Sequence, residues 1–342
     1  MTPQTRAAIE AYSSRIAQLN GVPTASQQFN VAPSVQQTLE KRIQESTAFL
    51  GAINVIGVTA QQGEKLGLLV GSTIASTTDT SAKEREPFDP TDMDPNAYMC
   101  TQTNFDTALN YSKLDAWAHM PNFQTMVRQM QVVQTGLDRI RIGLNGTSRA
   151  ATSDREQNPN LEDVNVGWLE KFRTQAPAQV MSDAIVIGPG GDYKNPDALV
   201  HEAVNSLIAP WHADNPELVV LCGRETLLDR YFVVLNDDNR PVDQLAAATI
   251  VSQQRMGGIK AMRVPFMPRG KLFITLLKNL SLYWQIGGRR STLIDNPKRD
   301  RYEFFNSSND AYVVEDYEAG CLIDNVEFAG AAAALAEAPA EE

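Results

Sequence analysis

The sequence predicts an α+β fold, and three observations support this class. Apolar residues between Asn122 and Leu144 recur every three or four positions, which indicates one long amphipathic helix. Short runs rich in Val, Ile and Leu, among them INVIGV and ELVVLCG, are typical of strands. Residues 63–95 are rich in Gly, Ser, Thr, Asp and Pro and carry few large apolar groups, so they predict a long projecting loop or hairpin.

Composition limits the class of function. The chain has 342 residues, 43% of them hydrophobic, which is enough for a sizeable core or for two domains that share a sheet. Its formal net charge of −11 disfavours general binding to nucleic acid, because affinity for phosphate depends on clustered Lys and Arg. Three widely spaced cysteines, Cys100, Cys222 and Cys321, predict reduced thiols. No run predicts a membrane span or a signal peptide, so synthesis in a cytoplasm is expected.

The N-terminal region predicts a helix on a flexible tether. Four apolar side chains follow helical spacing: Ile9, Tyr12, Ile16 and Leu19. The next segment, VPTASQQFNVAP, has two prolines and no periodicity, so it predicts a linker. A second helix is expected to bury one apolar face made of Val35, Leu39, Ile43 and Leu50. This arrangement suits a removable or mobile segment, and the alternative is a frayed terminus.

The clearest periodicity lies in the middle of the chain. CTQTNFDTALNYS alternates, which predicts a single half-buried strand with Phe105, Thr107, Leu109 and Tyr111 on one face. The helix after Pro121 has a strict apolar rhythm and is expected to be about 35 Å long. Its predicted core-facing residues are Phe123, Met126, Met130, Val133, Leu137, Ile140 and Leu144.

The second half predicts alternating helices and strands. The predicted strands are AIVIG, ELVVLCG, KLFITLLKNLSLYWQI, DAYVVEDYEA and CLIDNVEF. The predicted helices are PDALVHEAVNSLIA, RETLLDRYFVV and PVDQLAAATI. The tail AGAAAALAEAPAEE is of low complexity and is expected to be disordered.

The sequence contains no recognisable catalytic, cofactor-binding or metal-binding pattern. GSTIASTTDT (residues 71–80) lacks the spacing and the lysine of a phosphate-binding loop, and its β-branched residues favour an extended strand. The three histidines, His119, His201 and His212, are not in metal-ligand spacing. We therefore expect no enzymatic activity and no cofactor. The extended polar segments instead predict contacts between subunits.

Several long collinear segments closely resemble the major capsid proteins of P2-like temperate tailed phages. They are FNVAPSVQQTLE, GSTIASTTDT, TSDREQNPNLEDVNVGWLEKFR, RVPFMP and YVVEDYEAGCL. The resemblance covers the chain from about Thr5 to Phe328, and only the Ala/Glu-rich tail lies outside it.

The resemblance implies the tailed-phage major capsid fold of the Hong Kong phage type. It maps residues 1–29 to an N-terminal prosegment that is cleaved, 30–62 to the N-arm and 63–95 to an extended hairpin, the E-loop. It further maps 96–180 to the peripheral P-domain with its spine helix at 122–144, 181–268 to the axial A-domain, 269–328 to the return strands of both domains and 329–342 to a disordered tail.

The resemblance also implies a function. The subunits would form hexamers and pentamers of an icosahedral procapsid in the host bacterial cytoplasm and end in the virion capsid. Expected partners are an internal scaffold with its maturation protease, a portal protein and packaged double-stranded DNA, which is held without sequence-specific binding. Trimming would fall at Phe29 and Asn30, ahead of VAPS. The expected inter-subunit contacts of the E-loop are Gly71, Ser72, Thr73, Thr77, Thr78 and Asp79.

Two alternatives stay open from the residues. An encapsulin-like compartment or a tail protein would assemble without a portal or a protease. A small-molecule α/β enzyme could be built on the strand-Gly-helix unit near Cys222, and it would need a pocket with convergent polar groups.

Overall fold

The computed structural model combines eight helices with nineteen strands within the part of the chain that it describes. The described residues are 1–64, 68–70, 75, 77–85, 91–93, 97–117, 120, 123–188, 190–224, 226 and 255–329. The helices are α1 Pro3–Asn20, α2 Pro33–Glu45, α3 Ala48–Ala52, α4 Tyr111–Trp117, α5 Phe123–Asn145, α6 Trp168–Gln175, α7 Pro196–Leu207 and α8 Pro210–Ala213.

The strands are short, except for β17 (Arg301–Val314), which has 14 residues. The strands before residue 190 are β1 Phe29–Asn30, β2 Asn54–Val58, β3 Gln62–Glu64, β4 Leu68–Val70, β5 Thr91–Met93, β6 Ala97–Met99, β7 Thr101–Asn104, β8 Thr107–Asn110, β9 Val180–Met181 and β10 Ile185–Ile187. The later ones are β11 Leu218–Cys222, β12 Arg255–Met256, β13 Ile259–Arg263, β14 Leu272–Leu276, β15 Leu280–Gln285, β16 Arg290–Asn296, β17 Arg301–Val314, β18 Gly320–Ile323 and β19 Val326–Phe328.

Two sheets organise the molecule. The larger sheet has seven strands in the order β1-β16-β17-β15-β2, and β7 and β8 also pair with β17. The smaller sheet has six strands in the order β12-β13-β11-β14-β18-β9. Both sheets mix parallel and antiparallel pairs, since β2 runs parallel to β15 and β13 runs parallel to β11. This mixture of sheets and helices confirms the α+β class.

Helices α5 and α6 contribute to a core that is shared by both sheets. Trp168 of α6 is fully buried, and its ring stacks edge-on against Tyr312 of the larger sheet at 5.2 Å between centroids. Its indole N–H donates to the Ser281 carbonyl at 3.0 Å. One turn further on, Phe172 packs edge-on against Phe273 of the smaller sheet, at 5.0 Å between centroids. The two sheets therefore share one apolar interior.

A second apolar cluster covers the other face of the smaller sheet. Helix α7 begins at Pro196, where the predicted helix PDALVHEAVNSLIA also begins, and Asn195 is its N-cap. Its side chains Leu199, Val200 and Ala203 pack with the fully buried strand β11. The predicted strand ELVVLCG thus lies in the centre of a sheet.

The long helix α5 matches its predicted position but not its predicted face. The sequence predicts 122–144 and the structure has Phe123–Asn145. Ile140 and Leu144 are buried as expected, whereas Met126 and Met130 are 42% and 39% exposed. The prediction of a core-facing stripe along the whole helix is wrong for its N-terminal half, because Val127 faces the interior there.

Two other expectations are also corrected. The predicted single strand around Phe105 is two strands, β7 and β8, which pair with different parts of β17 on either side of Phe105 and Asp106.

The N-terminal helix is not on a flexible tether. Residues 25, 29 and 31 of the linker are buried, and β1 within the linker joins the larger sheet. A linker without periodicity can still pair with a strand edge that is distant in sequence.

Strands β12 to β18, in the C-terminal third of the chain, divide between the two sheets. Strands from 280–314 lie in the larger sheet, while β14 and β18 return to the smaller one. The expected domain boundaries stay a prediction. Most of RETLLDRYFVV, all of PVDQLAAATI and the tail from residue 330 lie outside the described residues. Among the described helices, none has the length and apolar character needed to cross a membrane.

We predict that Gly143→Ala destabilises the subunit. A Cβ at residue 143 would lie 2.2 Å from Cζ3 of the fully buried Trp168. Overpacking of this kind lowers the free energy of unfolding by about 1–3 kcal/mol. The measurement is urea unfolding of the unassembled chain.

The matched control is Gly51→Ala in α3, where the nearest atom to the new Cβ is 3.8 Å away. This variant should stay within about 1 kcal/mol of the parent or gain stability, since Ala favours helices. Equal effects of both substitutions would contradict the packing described for α5 and α6.

Candidate functional site

The polar segment expected to form the E-loop is a hairpin with two pairs of short strands among the described residues. At its base β3 pairs with β6, and further out β4 pairs with β5, both antiparallel. The base rests on the larger sheet, because Tyr98 is buried and stacks edge-on against Tyr283 at 5.0 Å. The Cys100 amide donates to the Gln61 carbonyl at 2.8 Å. The hairpin is therefore anchored at its base.

The predicted E-loop contact residues divide into two groups. Gly71, Ser72 and Thr73 lie outside the described residues. Thr77, Thr78 and Asp79 are exposed and have no strand assignment, so the described part of GSTIASTTDT does not form the expected extended strand. The strand on this side of the hairpin is β4, which ends at Val70.

Asp79 closes a turn at the exposed end of the described hairpin. Its carboxylate accepts hydrogen bonds from the Ser81 hydroxyl at 2.6 Å and the Ser81 amide at 3.0 Å. These two bonds, the side-chain one first, hold the pKa of Asp79 below its usual range. An ionised carboxylate thus fixes the turn, and this surface is polar and open to a partner.

The predicted processing residues are in an ordered strand. Phe29 and Asn30 form β1, in which Phe29 pairs with Ser291 and Asn30 with Arg290. The Phe29 side chain is only 9% exposed and packs beside Ala25 and Val31. The expected cleavage bond is therefore part of the folded sheet.

Helix α1 is attached to the body at its N-terminal end. Thr2 caps the helix by accepting from the Thr5 amide, and Asp115 of α4 accepts from the Thr2 amide and the Thr5 hydroxyl. Ile9 is buried in a cluster with Leu114 of α4 and with residues of the larger sheet. Within α1 only Thr5, Ile9 and Ala17 are buried, so the contact is narrow.

A cavity of about 1010 Å³ lies between α1 and the central part of α5. Its walls include apolar residues of α1, α2 and the linker. Six arginines also line it: Arg15, Arg128, Arg141, Arg149, Arg155 and Arg289. The cavity follows from the narrow contact of α1, which touches the body at its N-terminal end and through the linker.

A buried group of charges joins α2, α5 and the larger sheet. The guanidinium of Arg139 is fully buried and binds Asp310 through two hydrogen bonds of 3.0 Å. The same guanidinium binds Glu40 at 2.5 and 3.3 Å. Glu40 also accepts from Arg289 at 2.8 Å, and Ser308 donates to Asp310 at 2.9 Å. We call these residues, Glu40, Arg139, Arg289, Ser308 and Asp310, the buried ion cluster.

The two carboxylates of the buried ion cluster have opposite pKa shifts. Burial raises the pKa of Glu40, but the two guanidiniums of Arg139 and Arg289 outweigh it and hold this pKa below its usual range. Asp310 contacts only one guanidinium, so burial prevails and raises its pKa. For Arg289, a cation, burial has the opposite sign and lowers the pKa, and the nearby charge of Arg139 adds to this effect. The arrangement is a structural ion network.

Sequence reasoning missed the buried ion cluster. The predicted apolar face of the second helix is confirmed for Ile43, whereas Val35 and Leu39 are only half-buried. Helix α2 also buries two polar side chains on that side, Gln36 and Glu40. Leu50 belongs to α3. A signal was present: residues 36, 40 and 43 share one helical face. The charged partners could not be paired from sequence, because Asp310 lies far along the chain.

The histidines and cysteines do not form a reactive group within the described residues. His201 is exposed on α7, and Nε2 of His212 is hydrogen-bonded to Oδ2 of Asp316 at 3.0 Å. His119 lies outside the described residues. All three cysteines are buried thiols, and burial raises the pKa of Cys321 to about 12. The described residues contain no cluster of three or more potential metal ligands.

Comparison with known families decides the class of protein. The model of the family described as "Phage major capsid protein, P2 family" matches residues 8–326. The chain belongs to this family. Membership agrees with the resemblance found in the sequence, and it places the chain among structural proteins of the phage virion.

Two relatives support the P2 family over nearly the whole chain. The capsid proteins of Escherichia phage P2 are 45% identical over 98% of this chain and 99% of the relative. The major capsid protein of Serratia phage KSP20 is 42% identical over 95% of this chain and 97% of the relative.

Solved structures agree with this assignment. A chain of the satellite phage P4 procapsid with its size determination (Sid) protein has a TM-score of 0.79 and 43% identity, covering 96% of this chain and 99% of that one. The capsid chain of a native GTA particle, at 15% identity, has a TM-score of 0.54 over 82% of this chain and 91% of that one. The chain therefore has the tailed-phage capsid fold.

We predict that Arg139→Met lowers the free energy of unfolding by about 3–5 kcal/mol, because it leaves two buried carboxylates without their shared cation. The measurement is chemical denaturation of the unassembled chain at neutral pH. The control is Lys41→Met on α2, whose ammonium is 76% exposed and 3.9 Å from Glu45, and it should change stability by less than about 1 kcal/mol. A loss for Arg139→Met as small as the control's would show that the buried ion cluster is not a stabilising contact.

Proposed function

We propose that this chain is the major capsid protein of a tailed phage and that it assembles into an icosahedral procapsid in the host bacterial cytoplasm. The observation that carries the proposal is the family match over residues 8–326, together with the shared fold with a procapsid chain. Its role is structural rather than enzymatic. The strand-Gly-helix unit near Cys222 then belongs to the scaffold of the smaller sheet, whose central strand is fully buried.

The proposed assembly partners follow from this role. Copies of the chain form hexamers and pentamers, an internal scaffold with its maturation protease directs and trims them, and a portal protein occupies one vertex. The shell then expands around double-stranded DNA, which it contains without sequence-specific binding. The formal charge of −11 supports the last point, because a surface of like charge does not bind phosphate tightly.

The N-terminal segment is the proposed target of trimming, at Phe29 and Asn30. Support comes from the narrow contact of α1, which buries only three of its side chains. A segment that contributes little to the shared core can be removed without loss of the fold.

The E-loop is the proposed contact between neighbouring subunits, through Gly71, Ser72, Thr73, Thr77, Thr78 and Asp79. This proposal is supported by the anchored base of the hairpin and by residues 77–85, which are exposed. Hydroxyl side chains keep such a surface soluble before assembly and can form hydrogen bonds once it is covered.

The proposal is tested by intact mass and light scattering of protein purified from particles. We expect an assembly in the megadalton range, built of subunits that begin near Asn30. A full-length N-terminus within a shell would keep the coat function and remove the proposed cleavage. An encapsulin-like shell would also keep its N-terminus and would lack a portal. A stable monomer that is absent from particles would favour the enzyme alternative.

We predict that Ser72→Pro or Thr77→Pro prevents shell formation without unfolding the subunit. Proline removes a backbone donor and fixes φ, so the backbone at either position can no longer donate a hydrogen bond to a neighbouring subunit. Shells are counted by sedimentation, and the fold is checked by circular dichroism. Thr77→Ser keeps both the hydroxyl and the amide, so it should assemble like the parent. If the proline variants formed normal shells, the E-loop assignment would be wrong.

A further inference from the structure

The segment that contains the proposed cut is paired along one edge of the larger sheet. The Leu293 amide donates to the Ala25 carbonyl at 2.9 Å, and the Val31 amide donates to the Arg289 carbonyl at 2.9 Å. Between these bonds, Phe29 lies opposite Ser291. We call residues 25–31 the strap. Its backbone is held by the sheet on both sides of the Phe29–Asn30 bond.

The side chains of the strap add to this pairing. Ala25, Phe29 and Val31 are 1%, 9% and 5% exposed, and they form a small cluster with residues of α1 and α2. A protease needs an unpaired, extended segment in its cleft, so it acts on the fraction of molecules in which such a strand is open. In the structure described here, the Phe29–Asn30 bond is closed to a protease.

The strand edge that holds the strap is itself held by α2, the helix that follows the strap. Gln36 donates from its amide to the Gln285 carbonyl and accepts from the Gly287 amide, both at 2.9 Å. Glu40 binds the guanidinium of Arg289 at 2.8 Å. The carbonyl of this same Arg289 accepts the Val31 amide. A shift of α2 against residues 285–289 would therefore disturb the partner strand of the strap.

The inner side of the strap gives it room to leave. Ala25, Phe29 and Val31 line the cavity of about 1010 Å³, whose walls also include residues of α1 and α5. The strap is thus attached by its edge pairing and its small cluster, and it is not part of the core shared by the two sheets. Local opening can release it while the rest of the fold stays intact.

We propose that the strap is a gate that makes trimming depend on the position of α2. While Gln36 and Glu40 hold residues 285–289, the strap stays paired and the Phe29–Asn30 bond is protected. Movement of α2 during assembly or expansion opens the strap and exposes the bond. This inference rests on the trimming put forward under the proposed function, and it adds the condition under which trimming proceeds.

The first test uses the full-length, unassembled chain and two readouts, amide hydrogen exchange at Val31 and Leu293 and the rate of proteinase K cleavage between residues 22 and 32. Glu40→Gln weakens the hold on Arg289, so both rates should rise by about tenfold or more. Glu45→Gln is the matched control on the same helix, where the side chain is 63% exposed, and both rates should stay at the parent value. Equal rates in the two variants would overturn the coupling to α2.

A second variant remains informative if Glu40→Gln does not fold. Opposed residues of antiparallel strands have Cα atoms about 4.5–5.5 Å apart, a span that a disulfide bridges. Phe29→Cys with Ser291→Cys should therefore lock the strap when oxidised, and the native cysteines are all buried. The oxidised form should be cut between residues 22 and 32 about tenfold more slowly than the same variant reduced.

The outcomes separate this inference from the proposed function. If the parent chain is cut between residues 22 and 32 as fast as a free peptide of that sequence, or if the oxidised lock gives no protection, the gate is overturned even when shells form. If particles contain only full-length subunits, trimming fails and the gate loses its role, although the coat function stands. Protection of the parent strap, its loss in Glu40→Gln and subunits that begin near Asn30 in particles together support the gate.

Discussion

Buried charges determine how the helices of this subunit sit on its larger sheet. Arg139 of the long helix is fully buried and reaches Glu40 of α2 on one side and Asp310 of β17 on the other. Each of these groups would be costly to bury alone, so none of the three elements can move without leaving a charge unpaired. Arg289 extends the same constraint to the turn before β16. The apolar cores supply the driving force, and this network fixes the arrangement.

Regular elements with a strong internal period could be predicted from sequence, since the period is a local property. The long helix and the strand Leu218–Cys222 lie where their patterns place them. The outward direction of Met126 and Met130 could not be predicted, because it depends on what packs beside the helix. Counting apolar residues also fails on α2, where a buried carboxylate replaces a hydrophobic side chain. The partners of this carboxylate lie in α5 and before β16.

The candidate site shows the same division. Composition alone predicts a polar hairpin at residues 63–95, because few of its side chains could fill a core. The expected cleavage site at Phe29 and Asn30 is implied by the resemblance to a family. Neither composition nor that resemblance predicts that these two residues pair in a sheet. VPTASQQFNVAP has no strand pattern, and its order depends on an edge near residue 290 that the linker itself cannot specify. Tertiary pairing, not local preference, makes this segment a strand.

The order of strands in the larger sheet has a consequence for synthesis of the chain. β2 pairs with β15, and β1 pairs with β16, so both early strands wait for partners made more than two hundred residues later. At typical translation rates of about 5–20 residues per second, this delay lasts on the order of tens of seconds. During that time the nascent chain carries unpaired strand edges, and they lie close to those of other nascent chains on the same mRNA. A coat protein made in many copies is thus most exposed to misassembly before it is complete, and chaperones that shield its first sixty residues would raise the yield of subunits.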